Sequence, residues 1–321
     1  MEAVESKIVK KVEITDVKRQ LVKNQRTLLL RRLIDSKQFV IGSIVLVLFI
    51  LFAWFGPMIS SYDPYEMVVT DRLQAPSSEH WLGTDNFGRD LFSRIAYGAK
   101  VSLGVGFSVA ILSSLMGMVI GLYASYFRSL DHILMRLCDG VMSFPAIMLA
   151  IALMAALGPN TINIVIALSI VFTPSIARII RSSALVIREQ TYIEAMNSQG
   201  ARDWRIIWLH IAPNTISHLF VQASFIFADA IITEAGLSFL GAGVPAPDPS
   251  WGNILSDGKE VIYSSWWMIV FPGIALILSV LCINLLGDGL RDFIDPHGTT
   301  KKITKQRRNK GKSFDIGRDN K

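Results

Sequence analysis

Six runs of about 17–27 predominantly apolar residues recur along this 321-residue chain, and no other feature restricts its fold so severely. About 20 such residues in helical conformation cross the hydrocarbon core of a bilayer with every backbone group paired inside the segment. The runs predict spans at 39–55, closed by Gly56-Pro57, and at 101–127, 137–157, 162–187, 215–240 and 265–290. The expected fold class is an all-α membrane protein with six transmembrane helices. The first run should stay as a span and not be cleaved, because it lies behind a long basic stretch and no A-x-A site follows it.

The spans carry packing signals. Gly104, Gly106, Ser113, Ser114, Gly117 and Gly121 give the second a row of small residues, which lets helix backbones approach closely in lipid. Pro174 predicts a kink in the fourth, tolerated where neighbours satisfy the freed carbonyl. Cys138 and Cys282 lie in or beside spans and read as small core residues, not as a disulfide or metal site.

Charge sets the orientation. The net charge is +6 and the pI about 9.3, yet the pattern does not point to nucleic acid. There is no zinc-finger spacing, and the basic tail lacks interleaved aromatics. With the amino terminus inside, the inner segments hold ten Lys or Arg in the leader, two in 128–136, five in 178–213 and ten after residue 290. Only five of the 32 fall outside, so both termini are expected in the cytoplasm. Trp54, Trp81, Trp251, Trp266 and Trp267 then lie on the outer side, where an interfacial belt is expected. The leader reads as an amphipathic surface helix or as a disordered segment. The tail reads as a lipid-bound patch or as a solvated overhang.

Between the fourth and fifth runs lies a stretch too polar for lipid, residues 189–214. Residues 189–199 predict a short helix with Tyr192, Ile193 and Met196 on an apolar stripe. Gly200 supplies a left-handed turn, and Asp203 is placed to cap a second helix. Trp204, Ile207, Trp208 and Ile211 recur at i, i+3, i+4 and i+7, and Pro213 stops that helix or begins the next. The expectation is a helix–turn–helix hairpin at the membrane surface.

A second patterned stretch, HWLGTDNFGRDLFSR, covers residues 80–94. Gly83 and Gly88 suit tight turns, and Arg89 between Asp85 and Asp90 suits local ion pairing. A calcium loop does not fit, since the alternating acidic spacing is missing.

These two stretches carry a family resemblance. Glu194-Ala195-Met196, Gly200 and Pro213 resemble the EAA motif of ABC importer permeases, with Met196 in place of the usual third alanine and Ala212 in place of the usual leucine. The GTD-x-x-GRD run is similar to a signature of the dipeptide/oligopeptide branch, so the resemblance covers about residues 35–296. It implies a type I ABC importer permease fold with a cytoplasmic coupling helix, in the cell membrane. Glu194, Ala195, Met196, Gly200, Asp203 and Pro213 would form the surface that couples to the ATPase. The implied partners are a second homologous permease subunit, two cytoplasmic ABC ATPase subunits and an extracytoplasmic solute-binding protein, with no nucleic acid. ATP and Mg would be bound by the ATPase subunits, and this chain would hold no cofactor of its own. The implied cargo is a dipeptide or oligopeptide, with glutathione, nickel or another metal chelate as alternatives.

The chain's own chemistry fits that division of labour. Gly311-Lys312-Ser313 fails as a P-loop, because Gln306 stands where the first glycine is required. Neither H-E-x-x-H nor G-x-S-x-G occurs. Asp139 and Asp288 raise the rival of an intramembrane aspartyl protease, but both sit near span ends where water screens them. A secondary transporter would carry broken-helix repeats or more midplane ionisable groups. Asp229 lies near the middle of the fifth span and shares a helix face with Gln222 and Thr233. That face either lines a wet passage, or Asp229 bonds a neighbouring helix or begins a polar outer end with Glu234. Arg178, Arg181 and Arg188 read as anchors at the inner surface. The expected domains are a basic leader 1–38, an N-terminal span and extracytoplasmic segment 39–97, a permease domain 98–291 with its coupling loop at 188–213, and a basic tail 292–321.

Overall fold

The computed structural model describes residues 36–294. The readings of the leader before residue 36 and of the tail beyond 294 fall outside the described residues.

Helix α1 (Lys37–Ile59) begins where the Ser36 hydroxyl accepts from the Phe39 N–H at 3.4 Å. It runs through Gly56-Pro57 instead of stopping there. Pro57 removes one ladder bond within the last turn, yet the turn persists, and the Ser60 N–H donates to the Gly56 carbonyl at 3.1 Å. Helix α2 (Leu91–Tyr126) starts ten residues before the predicted span, because Asp90 caps it by accepting from the Ser93 N–H at 2.8 Å.

The third predicted span is not one helix. Residues 128–136, which lie between the second and third predicted spans, begin α3 (Arg128–Met142), and α4 (Ala146–Leu157) leaves it at 94°. Pro145, with no N–H and a ring that restricts Phe144, breaks the pair at 143–145. Five described helices are long and apolar enough to cross a membrane, and six spans result only if this bent pair counts as one.

Helix α5 (Thr161–Arg188) is capped by Asn160, contains Pro174, and is followed by α6 (Thr191–Ser198). Helix α7 (Asp203–Phe239) is continuous from the predicted hairpin through the fifth span. Between the fifth and sixth predicted spans the chain folds a further helix, α8 (Trp251–Lys259), started by a capping box between Ser250 and Asn253. Helix α9 (Trp267–Ile294) ends the described chain.

Helix α2 is the axis of the bundle, packed on α1, α5 and α7. Its small residues explain why. A Cβ on Gly117 would lie 2.6 Å from the Ile176 Cβ, and one on Gly121 2.6 Å from the Ala177 carbonyl oxygen, so this pair seats α2 directly on α5. Gly104 departs from the expectation and meets open space. Apolar side chains gather in two cores. One joins α2, α4, α5 and the hairpin, with Leu122, Ile176 and Ile193, and the other joins α1, α2, α8 and α9, with Leu91, Trp251 and Met268.

The tryptophan belt is corrected at two positions. Trp251 and Trp267 are buried and give their indole N–H groups to the carbonyls of Ile95 (3.1 Å) and Thr84 (3.2 Å). A buried indole needs such a partner, and residues 60–90 fold over the bundle end to supply one of them. Trp54, Trp81 and Trp266 stay exposed.

Candidate functional site

The hairpin at one end of the bundle is built as a rigid projection. Helix α6 is anchored by fully buried Ile193 and by Met196, which packs on the core, while Tyr192 of the predicted stripe is exposed. Its end is a Schellman motif: the Ala201 N–H reaches the Met196 carbonyl at 3.1 Å and the Gly200 N–H reaches the Asn197 carbonyl at 3.0 Å. Gly200 has φ +76°, the left-handed conformation that glycine adopts without penalty. Glu194 and Ala195 point outward from this frame and are exposed.

The second arm differs from the expectation in two ways. Asp203 does not cap it: Arg202 occupies the cap, and the Asp203 carboxylate accepts from the Tyr126 hydroxyl at 2.8 Å. Residues 206–211 form a π-helical turn, so Ile206, Ile207 and Ile211 are buried while Trp204 and Trp208 face out. The wider turn shifts the buried face away from the i, i+3, i+4 register, which assumes 3.6 residues per turn. Pro213 does not stop the run: it is the second residue of the α-helical part, Ala212–Phe239, that follows the π-turn, an early position where its missing N–H costs little. Of the two expectations it is the second, the start of the next element, that holds.

The hairpin is tied to the bundle by residues the sequence reading did not single out or placed differently. The Tyr126 hydroxyl also lies 3.3 Å from Asn197, so the last residue of α2 holds both arms. The Arg188 guanidinium donates to the Ser125 carbonyl at 2.6 Å, a cation at a helix C-terminus. Arg181 forms a bidentate pair with Asp131 of α3 at 2.5 and 2.6 Å. Arg178 pairs with Asp139 at 2.6 Å, so Asp139 contacts a guanidinium and not a second carboxylate. Tyr126, Arg188, Glu189, Glu194 and Asn197 line an open hollow of about 630 Å³ beside α6.

On α7, Asp229 is exposed, and Gln222 and Thr233 are half-buried on the same face. Glu234, read as the start of a polar end, is instead fully buried. It accepts from Ser102 of α2 at 2.9 Å and from Ser238 at 2.7 Å. Its spacing from Ser238 was a signal available in the sequence, but Ser102 could be found only in space. Replacing Glu234 with leucine should cost about 1–3 kcal/mol for each hydroxyl left unpaired, and Glu234→Gln, which keeps an acceptor, clearly less. Thermal unfolding of the purified complex measures this, and equal losses in the two variants would refute it.

At the far end, the GTD-x-x-GRD run forms a closed ionic loop. Asp85 accepts from the N–H groups of Phe87 and Arg89 and from the Arg89 guanidinium, at 2.8, 3.0 and 2.6 Å, with Arg94 at 3.3 Å. Asp90 pairs with His80 at 3.0 Å and not with Arg89, because it is occupied in capping α2. Gly88 has φ +77°, and a Cβ there would collide with the Val68 carbonyl.

The described chain is thus a bundle of helices long and apolar enough to cross a membrane, with a braced, exposed polar hairpin at one end. Residues 113–298 match the family model described as the binding-protein-dependent transport system inner membrane component, and residues 24–76 match the N-terminal TM domain of oligopeptide transport permease C. The chain belongs to this family of binding-protein-dependent transport permeases. It is 44% identical over 267 residues to a dipeptide transport system permease protein of Alkalihalophilus pseudofirmus, covering 83% of this chain and 88% of that one. It is 40% identical to a glutathione transport system permease protein of Pectobacterium atrosepticum, covering 83% and 89%. Its fold is similar to a chain of the inward-facing MetNI methionine ABC transporter, with TM-score 0.53 and 18% identity over 62% of this chain and 96% of that chain.

Proposed function

We propose that this chain is one of two permease subunits of an ATP-driven importer for dipeptides or oligopeptides. An extracytoplasmic solute-binding protein delivers the cargo, and two cytoplasmic ATPase subunits bind ATP and Mg and hold the hairpin. The chain itself is non-catalytic, and both termini are cytoplasmic. The observation that carries this reading is the hairpin. Glu194 and Ala195 are exposed on a short helix that is locked by Ile193, the Gly200 turn and Tyr126.

The mechanism follows from continuity. The second arm of the hairpin is the beginning of α7, so a displacement at Glu194–Gly200 is passed along one helix to Gln222, Asp229 and Thr233, which line the passage. The π-turn at 206–211 sits between the two and gives a local point of flexure. Closure of the ATPases on ATP binding then turns the permease pair outward, and hydrolysis resets it inward.

Topology provides the test. With Cys138 and Cys282 replaced by alanine, cysteines at Ser78 and Tyr263 should react with an impermeant thiol reagent applied outside intact cells. A cysteine at Gln199 should react only after the membrane is opened. Labelling of Gln199→Cys from outside would overturn the orientation and the docking role with it.

A further inference from the structure

The polar face of α7 continues beyond the three residues already named. Positions 214, 218, 222, 229 and 233 fall within an arc of about 100° on a 3.6-residue helix, so Asn214 and His218 extend it to the hairpin end. His218 Nδ1 lies 3.3 Å from the Ser183 hydroxyl on one edge of α5. On the other edge of α5, Arg178 meets Asp139 of α3, both of them exposed. The open strip of α5 is thus walled by α7 on one side and by the bent α3–α4 pair on the other. Nearer the far end α4 closes on α7, with Ile147 Cδ1 3.2 Å from where a Cβ on Gly236 would be. The result is a trough with polar and charged residues on both walls. Facing it to lipid would be costly, and ionisable groups inside membrane segments are placed toward partners or water.

The charges in this trough are unequally committed. Arg178 is occupied by Asp139. The Thr233 hydroxyl donates to the backbone carbonyl of Asp229 at 2.7 Å, and among the described residues the Asp229 carboxylate enters no hydrogen bond or ion pair. A carboxylate that faces a groove between low-dielectric protein walls attracts a cation more strongly than it would in bulk water.

We propose that Asp229 is a specificity-determining residue of the passage, which receives the ammonium group of the cargo as it crosses. The trough then favours cationic groups, such as a free amino terminus, over anionic ones. This rests on the pathway reading above, and the experiment separates the two. Thr233 stands one turn from Asp229, and Thr233→Cys is close to isosteric. In the assembled complex, with Cys138 and Cys282 replaced by alanine, that thiol is exposed to a trimethylammonium and to a sulfonate methanethiosulfonate reagent. Relative to free cysteine, the cationic reagent should react about fivefold faster, and Asp229→Asn should abolish the preference. The same cation-to-anion ratio with and without Asp229→Asn overturns the ammonium site while leaving a wet passage. Failure of both reagents to react overturns the passage itself. If Asp229→Asn does not assemble, Asp229→Glu must retain the preference, and its loss there overturns the proposal.

Discussion

Gly200→Val should release the ATPase subunits during purification while the permease pair still inserts and associates. A Cβ at this position meets nothing within 4 Å, so the substitution acts through the backbone alone. A β-branched residue forced to φ +76° is strained by about 1–3 kcal/mol, enough to open the Schellman turn and misdirect the second arm. Gly200→Asn, which tolerates the left-handed region, should retain most of the coupling. Ala195→Trp should have the same outcome by another route. Ala195 is exposed, so the indole displaces nothing within this chain, but it occupies the surface offered to the ATPase. A loss of about 1.4 kcal/mol at that contact already weakens docking tenfold. Copurification and hydrolysis stimulated by loaded binding protein are the measurements. Normal ATPase retention with full transport in both variants would remove the coupling role.

Asp85→Ala should destabilise the far end of the bundle by about 3–5 kcal/mol, the cost of breaking a buried ion pair from one side. Asp85 is 1% exposed, and Arg89 and Arg94, exposed by 4% and 3%, both converge on it. Removing it leaves the Arg89 Nε–H and two backbone N–H groups short of an acceptor and takes the nearest counter-charge from buried Arg94. Asp257→Asn is the internal comparison. Its contact with Arg89 is longer, 3.4 Å, and a third of its side chain is exposed, so the loss should be at most about 1 kcal/mol. Burial also raises the Asp257 carboxyl pKa, against the pull of Arg94 and Arg89, which makes a neutral amide a mild replacement. The yield of assembled complex and its thermal midpoint in detergent decide the matter. Equal effects at Asp85 and Asp257 would show that the ionic loop does not brace this end.

The contrast between those two aspartates shows what a sequence can carry. Both are acidic residues in polar stretches, and the GTD-x-x-GRD spacing marks only Asp85, because its partners Phe87 and Arg89 lie within four residues. Local hydrogen bonds have a sequence signature. Asp257 meets Arg89 across 168 positions and has none.

The same distinction runs through the whole molecule. The apolar runs by themselves determined that the chain folds as membrane-spanning helices, since length and composition suffice when no water can satisfy the backbone. The close-approach face at Gly117 and Gly121 and the turn at Gly200 were also determined locally, because each depends on the absence of one side chain, although that the face meets α5 was not. Tertiary structure alone decided the rest. It bent α3 from α4, gave 206–211 a π-turn that buried Ile206 and exposed Trp204, and drew Trp251 and Trp267 out of the expected belt. It also chose Tyr126 to hold the hairpin and Ser102 to meet Glu234. Each of these depends on a packing or hydrogen-bond partner far away in the chain, and helical periodicity carries no information about which distant surface a helix will meet.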